Sequence, residues 1–242
     1  AALSSAQVAT LSTNAAKGLT TAAVAALDTN QIKGLTTAQI AALSTAQVAA
    51  IETADLAAMT TAQLPGFTTA QVAALTTAQT ANLGTAQIRA LTSAQSAALT
   101  TAQIANLATA QIAGFASTQL GAMTSGQIAA FSTAQYAQFA TSQIAAISTA
   151  GIKGLETADL VALASTQMPG FTTAQVAAPS TAQLAAIETA DLAALSTVQL
   201  RGLASTQVAG LTTAQVANLT TAQLAGIAST QVQGLTTAQI AN

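Results

Sequence analysis

Large apolar side chains recur along this chain at a fixed spacing of eight residues. From Leu3 onward the sequence divides into thirty octads without an insertion or deletion, and we label the positions of each octad a to h. Position a is large and apolar in all octads but one, which carries Pro179. Position f is large and apolar in all but three, which carry Ala16, Thr80 and Ser96. Because one insertion would move every later side chain to another face, the unbroken phase indicates a repeating structure.

The eight-residue period fits neither a continuous α-helix nor a flat strand. Eight residues of α-helix overshoot two turns by about 80°, so an a/f stripe would wind around one straight helix. In a strand, positions a and f lie five residues apart and would point to opposite faces, and Ala and Gln are poor strand formers. One straight helix is therefore excluded, and a β-solenoid remains as the less favoured alternative.

Each octad carries its own signals for starting and stopping a helix. Gln stands at e in 24 octads, and Ser or Thr stands at b in most. Together they form a capping box: the hydroxyl at b accepts from the N3 amide, and Gln reaches back to the amide of b. Positions a and f then become the two halves of a hydrophobic staple. Ten of the fourteen glycines stand at h, where we expect the left-handed conformation that ends a helix. The sequence thus predicts an all-α solenoid of thirty octapeptide repeats, each a capped one-turn helix from c to f or g.

The polar positions add three expectations. All seven acids lie at b or e and all five bases at g. The helix dipole favours acids at the start of a helix and bases at its end, which this order provides. The same order is equally explained if positions b, e and g face water. Positions a and f point inward, with the small residues at d and h beside them. Pro65 and Pro169 stand at g, and because the residue before a proline avoids the α region, we expect those two helices to end early.

The amino-acid composition bears more on the function of the chain than on its fold. Charged residues make up 5% of the chain and aromatic residues 2%, with a net charge of −2 and no basic cluster, which disfavours nucleic acid as a partner. Every apolar cluster is cut within a few residues, so no membrane-spanning helix is predicted. No linker or shift in composition interrupts the repeats. We therefore expect residues 1–242 to form a single uninterrupted octad-repeat solenoid, a segment of a longer protein.

Candidate chemistry is sparse. The chain has no His, Cys or Trp, which removes imidazole and thiolate metal sites, disulfides and most nucleophilic catalysis. Paired carboxylates recur in the Glu-Thr-Ala-Asp units at 52–55, 156–159 and 188–191, but they lack a third ligand or a calcium loop, so we interpret them as surface capping residues. The Phe side chains at a and Tyr136 at f are interpreted as core. We predict no catalytic, cofactor-binding or metal-binding residue, and no cofactor.

Position c is Ser or Thr in all thirty octads. Such a ladder of hydroxyls either caps neighbouring units internally or presents a regular array to ice or a glycan.

The sequence Leu-Thr-Thr-Ala-Gln-Ile-Ala-Ala at 35–42 resembles the octapeptide tracts of very large secreted or surface proteins of Gram-negative bacteria, which often carry the labels adhesin, haemagglutinin or haem utilisation. The resemblance covers all thirty octads and implies an exported stalk or filament. It does not carry over haem binding, because the chain has no His, Cys or pair of Tyr residues to ligate iron.

Together these observations predict a structural, non-enzymatic segment at the cell surface or outside the cell. It would space or display flanking domains of the same polypeptide, or associate with copies of itself, laterally or end to end, into a fibre. The alternative is a binding module that uses the hydroxyls at c.

Overall fold

The computed structural model describes residues 3–241, in which every octad contains one short helix and no strand is present. The predicted all-α solenoid is therefore confirmed, and the β-solenoid alternative is wrong for the described residues. Two compact units divide the chain, Ala1–Ala122 and Met123–Asn242. Each unit is described by itself, and a single solenoid over 1–242 stays a prediction.

The first unit contains thirteen α-helices and two 3-10 helices, η1 and η2. Their bounds are α1 Ser5–Ala9, α2 Thr13–Lys17, α3 Thr21–Ala25, α4 Thr29–Gly34, α5 Thr37–Ala42, α6 Thr45–Ala49, α7 Thr53–Ala58, η1 Leu64–Gly66, α8 Thr69–Ala74, α9 Thr77–Ala81, α10 Thr85–Ala90, α11 Ser93–Ser96, α12 Thr101–Ala105, η2 Thr109–Gly114 and α13 Ser117–Ala122.

The second unit contains fourteen α-helices and one 3-10 helix, η3. Their bounds are α14 Ser125–Ala129, α15 Thr133–Tyr136, α16 Thr141–Ala146, α17 Thr149–Lys153, α18 Thr157–Val161, η3 Met168–Gly170, α19 Thr173–Val176, α20 Thr181–Ala186, α21 Thr189–Ala193, α22 Thr197–Leu200, α23 Ser205–Ala209, α24 Thr213–Ala217, α25 Thr221–Gly226, α26 Ser229–Val232 and α27 Thr237–Ile240.

The predicted capping box sets the start of the helices. Before α8, the amide of Gln71 donates to the hydroxyl of Thr68 at 3.2 Å, and the amide of Thr68 donates to the Gln71 side-chain oxygen at 2.7 Å. The residue at b has extended backbone and the helix begins at c, as in nearly every octad. The staple residues Phe67 and Val72 are both buried. Local sequence therefore fixes where each helix begins.

The nitrogen of the same glutamine side chain makes a second set of bonds, to an earlier turn of the solenoid. Gln71 Nε2 donates to the carbonyl of Ile40 at 2.8 Å and to that of Leu43 at 2.6 Å. In the second unit, Gln175 Nε2 binds the corresponding carbonyls of Ile144 and Ile147 at 2.8 and 2.6 Å. We call this bifurcated bond from position e to the carbonyls of f and a, 31 and 28 residues earlier, the glutamine fork.

The fork shows how many octads form one turn within each unit. Chain segments 28 to 31 residues apart lie against each other, which corresponds to between three and four octads. Helices three octads apart also pack together, for example α2 with α5 and α22 with α25. The helices that pack together within each unit are three octads apart, so one turn contains about three octads, and the fork reaches from e to the junction between the helices three and four octads earlier.

Position e is inward and position d is outward, opposite to part of the sequence interpretation. Gln39 is 1% exposed and Gln71 2% exposed, whereas Ala38 and Ala70 at d are exposed. The expectation that e faces water and that small residues at d line the interior is therefore wrong. A buried glutamine is accommodated because both ends of its amide are hydrogen-bonded.

The glycines at h have a different role from the one predicted. No described residue has a positive φ, and Gly154 has φ −79° and ψ −9°, an ordinary right-handed conformation. Instead, glycine permits close approach: a Cβ on Gly114 would lie 2.6 Å from the carbonyl oxygen of Thr85, position c of the octad 29 residues earlier. The expectation of a left-handed helix end is therefore wrong, and close packing against an earlier turn explains most glycines at h, although a Cβ on Gly18 would meet only its own helix.

The two prolines at g change the type of helix instead of shortening an α-helix. Pro65 and Pro169 lie inside η1 and η3, which occupy f to h, while c to e form a turn. Because proline lacks the N–H and its ring clashes with the carbonyl four residues earlier, the α-helix does not form. Leu64 before the first proline stays buried, so the staple position is kept although the expectation of an early helix end is wrong.

Replacing a glutamine of the fork is expected to cost much more stability than replacing one without it. Gln71→Ala removes one donor from each of the carbonyls of Ile40 and Leu43 and the acceptor of the Thr68 amide, and we expect the free energy of unfolding to fall by about 2–5 kcal/mol. Gln7→Ala is the matched control, because Gln7 is exposed and bonds locally to the Ser4 amide. Urea unfolding followed by circular dichroism measures both, and equal losses would contradict the role of the fork.

The close approach at h is tested with a second pair of variants. Gly114→Ala should destabilise the chain by roughly 1–3 kcal/mol, because its Cβ would overlap the backbone of Thr85. Gly126→Ala at position d should be neutral or slightly stabilising, since nothing lies within 4 Å of the added Cβ. Thermal unfolding of the two variants gives the comparison, and a stable Gly114→Ala protein would argue against tight stacking at h.

Candidate functional site

The outer surface of each octad is formed mainly by positions b, c and d, and the hydroxyls at b and c differ in their surroundings. The b hydroxyl caps its own helix, as Thr36 and Thr100 do for Gln39 and Gln103. Position c lies one residue inside the helix and is exposed in most octads, as Thr37 and Thr69 illustrate. Of the two alternatives for c, the outward array is thus the general arrangement.

Some hydroxyls at c, those of Thr29 and Ser165 among them, are instead used within the fold. Thr29 Oγ1 donates to Asp55 at 2.7 Å, and Ser165 Oγ donates to Asp191 at 2.6 Å. Both residues are half-buried. Internal bonding at c therefore accompanies an Asp at e in the octad three units later.

The hydroxyls at c recur at the octad spacing. The helices that pack together are three octads apart, for example α2 with α5 and α22 with α25. The residue after the hydroxyl, at d, is alanine in most octads, and Ala38 and Ala70 illustrate its exposure. The surface therefore carries hydroxyl groups with methyl groups beside them.

The paired carboxylates do not share a face. In each Glu-Thr-Ala-Asp unit the glutamate at b is exposed, while Asp55, Asp159 and Asp191 at e are between 4% and 6% exposed. The interpretation of both carboxylates as surface residues is therefore wrong for the aspartates, which occupy the place of the fork glutamine. Among residues 3–241, no three Asp or Glu side chains come together as a metal-binding group.

Asp159 has an electrostatic environment that favours its neutral form. Burial raises the pKa of its carboxyl, and the nearby Glu156 charge raises it further, while a hydrogen bond from the Glu156 amide at 3.1 Å acts in the opposite direction. The net pKa lies above the ordinary value for aspartate. Such a shift is frequent at functional sites, but here the neighbours are structural groups of the solenoid.

The bases at g lie near helix ends, as the dipole argument predicts. Lys17, Lys33, Arg89 and Lys153 occupy the last turns of their helices. Arg89 donates to the carbonyl of Ala113 at 3.3 Å, which lies 24 residues later and belongs to another helix. These side chains thus also connect neighbouring turns.

The interior offers apolar space and few polar groups. In the second unit a cavity lies beside Pro179 and is lined by residues such as Met168, Phe171 and Val176. Phe131, Tyr136 and Phe139 form a buried aromatic cluster with ring centroids 5.2 to 6.1 Å apart. As predicted, the aromatic side chains lie in the core. None of the helices in residues 3–241 has the length and apolar character needed to cross a membrane.

Sequence reasoning missed the inward orientation of e and the fork made there. One signal was present: Gln at e is replaced by Ala15 and Ala23 in octads of the first turn, where no earlier described turn is available to accept its bonds. The other exceptions at e are Gly151 and the three aspartates. Position e therefore carries information about neighbours that are distant in sequence.

Comparison with known protein families supports the prediction that the chain is a repeat protein. A family model described as the ALTTAQ repeat matches residues 24–50, 48–85, 81–109, 152–186 and 184–221. These matches lie in both units and together cover more than half of the chain. No curated protein matches the chain.

Two neighbouring substitutions test whether the hydroxyl at b caps the helix while the hydroxyl at c is not needed for folding. Thr68→Val removes a capping hydroxyl, and we expect a loss of about 0.5–2 kcal/mol in the free energy of unfolding. Thr69→Val, with the same change of shape at the exposed c position, should alter it by less than about 0.5 kcal/mol. Chemical denaturation compares the two. A larger loss for Thr69→Val would mean that the c hydroxyl is needed for folding.

Proposed function

Since the chain belongs to the ALTTAQ repeat family, we propose that it is a structural, non-catalytic repeat segment: an extracellular stalk or a fibre-forming part of a bacterial surface protein. The observation that carries this proposal is the glutamine fork. It links turn to turn at regular intervals, so an array of octads gains stability from contacts between neighbouring turns. A segment built this way can be lengthened by adding octads.

The non-enzymatic part of the proposal rests on the use of the polar groups. Glutamine amides and hydroxyls at b bind the backbone. The buried carboxylates of Asp55 and Asp191 accept bonds from Thr29 and Ser165. Catalysis needs polar groups that converge on a substrate in a cleft, and these groups are directed at the chain itself.

The location and the partners are inferred from the resemblance and the composition. The Leu-Thr-Thr-Ala-Gln-Ile-Ala-Ala octads resemble those of secreted and surface proteins of Gram-negative bacteria labelled adhesin or haemagglutinin. The absence of cysteine agrees with such a location. With 5% charged residues and a net charge of −2, the surfaces of two copies repel each other weakly. The expected partners are therefore further copies of the chain, laterally or end to end, and flanking domains of the same polypeptide, without nucleic acid.

The stalk proposal predicts the dimensions of isolated particles. Negative-stain electron microscopy and small-angle X-ray scattering of the isolated chain should show elongated particles of uniform width, and longer fibres at higher protein concentration. Repeating the concentration series in high salt serves as a control, because association of nearly uncharged surfaces should depend little on ionic strength. Compact globular particles would contradict the proposal.

A binding module is the second candidate, favoured by the exposed hydroxyls at c. Regular rows of Thr with few charges could order water at an ice surface or bind a glycan. Thermal hysteresis and glycan-array binding test this function. A positive result that Thr69→Val and similar changes at c abolish, while the protein stays folded, would replace the structural proposal with the binding one.

A further inference from the structure

One interruption of the glutamine fork lies beside the chain's single tyrosine. By the spacing of the fork, a glutamine at 159 would donate to the carbonyls of Ile128 and Phe131, 31 and 28 residues earlier. The next octad keeps the fork: Gln167 Nε2 donates to Tyr136 O at 3.0 Å and to Phe139 O at 2.7 Å. Position 159 carries an aspartate, which in its ionised form has no hydrogen to donate.

The phenol of Tyr136 makes the bond to the Ile128 carbonyl that a glutamine at 159 would make. Its hydroxyl donates to the carbonyl of Ile128, which also accepts the Phe131 amide at 3.2 Å. The same pair of bonds forms elsewhere with a glutamine: Ile40 O accepts the Leu43 amide at 3.1 Å and Gln71 Nε2 at 2.8 Å. The other large side chains at f are aliphatic or Met and have no hydrogen to donate in this way.

The surroundings keep this phenol in place and protonated. Tyr136 is 1% exposed, with its ring stacked on Phe139 at a centroid distance of 5.5 Å and edge-on to Phe131 at 6.1 Å. Burial, and then the charge of Asp159, raise the pKa of the Tyr136 hydroxyl far above its usual range. The hydroxyl therefore remains a donor at every pH at which the protein is studied.

The other two aspartates at e are held differently. Asp55 accepts from Thr29 and Asp191 from Ser165, at 2.7 and 2.6 Å. Those carboxylates thus have a hydroxyl partner from an earlier turn. Only at 159 does a tyrosine supply the carbonyl with a donor, so the three Glu-Thr-Ala-Asp units, although copies in sequence, are not equivalent in structure.

We propose that Tyr136 and Asp159 form a proton-sensitive joint in the second unit: the phenol replaces the glutamine fork at the Ile128 carbonyl, and ionisation of Asp159 loosens the contact between its octad and that earlier turn. The ionised carboxylate places a negative charge where the fork elsewhere brings an amide hydrogen to two carbonyl oxygens. Protonation removes that charge and supplies an O–H. The joint is independent of the proposed stalk function.

The direction of the pH effect follows from the charges around Asp159. Burial disfavours ionisation of Asp159, as does the charge of Glu156 on the same octad, while the hydrogen bond from the Glu156 amide acts in the opposite direction; the net pKa of Asp159 is higher in the folded than in the unfolded chain. Two segments, α15 and α20, pack against α18, and neither carries a charged residue. Glu188 and Asp191 lie in the octad four units later, where Asp191 accepts a hydrogen bond from Ser165. Stability is therefore gained as pH falls through the raised pKa towards the ordinary value, and lost as pH rises.

A double-mutant cycle on the full chain tests the replacement. Tyr136→Phe should lower the folding equilibrium constant by about tenfold at neutral pH, because it leaves a buried carbonyl without its second donor. In an Asp159→Gln background the restored amide can bind the same carbonyl, so the loss should shrink to less than about threefold. Asp191→Gln is the matched control background, in which Tyr136→Phe should keep its full effect. An equal loss in all three backgrounds would overturn the proposal and leave Tyr136 as an ordinary core residue.

The proton dependence is measured separately. Because Tyr136 is the only tyrosine and there is no tryptophan, tyrosine fluorescence and the near-ultraviolet spectrum report on this one ring. We expect the spectrum of the folded wild-type chain to change as Asp159 titrates, and that of Asp159→Gln to stay constant over the same range. We also expect the stability difference between wild type and Asp159→Gln to narrow as pH falls. A difference that does not change with pH, together with an invariant spectrum, would rule out the proton-sensitive part.

Discussion

In a one-turn helix most backbone N–H and carbonyl groups have no partner within the helix, and the buried glutamine at e supplies hydrogen bonds to several of them. An α-helix leaves its first four N–H groups and last four carbonyls without intrahelical partners. With helices of three to six residues, almost every backbone group is at an end. In Gln71 the amide oxygen serves the start of its own helix and the amide nitrogen serves carbonyls at the end of an earlier one. One side chain therefore stabilises two helix ends in different turns.

The remaining features of the octad support that bond. Large residues at a and f, such as Phe67 and Val72, exclude water from the fork, which strengthens hydrogen bonds in the interior. Small residues at h allow the turns to approach closely enough for the glutamine to reach, and glycine stands where even a methyl group would touch the neighbouring backbone. Hydroxyls at b complete the caps. The low complexity of the sequence reflects one interface that recurs along the chain.

The same arrangement leaves little for chemistry at the surface. Most polar side chains that point inward are glutamines bonded to the backbone, and those that point outward are largely hydroxyls, with few charges between them. Such a surface suits weak, repeated association better than selective binding of one small molecule, which needs a concave pocket with a few convergent polar groups. A few octads depart from the repeat. The octad of Asp159, which lies beside Tyr136, is the one whose hydrogen bonding we expect to differ most from that of the other octads.

The sequence by itself determined the octad and its local structure. The capping box, the staple and the charge order all act within eight residues, so the helix starts at c and the burial of a and f, Tyr136 included, followed from pattern alone. It did not reveal the number of octads per turn, the inward side of e, or the reason for glycine at h. Those features depend on contacts between residues 28 to 31 positions apart. Gln71 illustrates the difference: its oxygen bonds within its own octad, whereas its nitrogen bonds to carbonyls that only the coiling of the chain brings near. Local patterns carry no information about such partners, so the tertiary structure decided them.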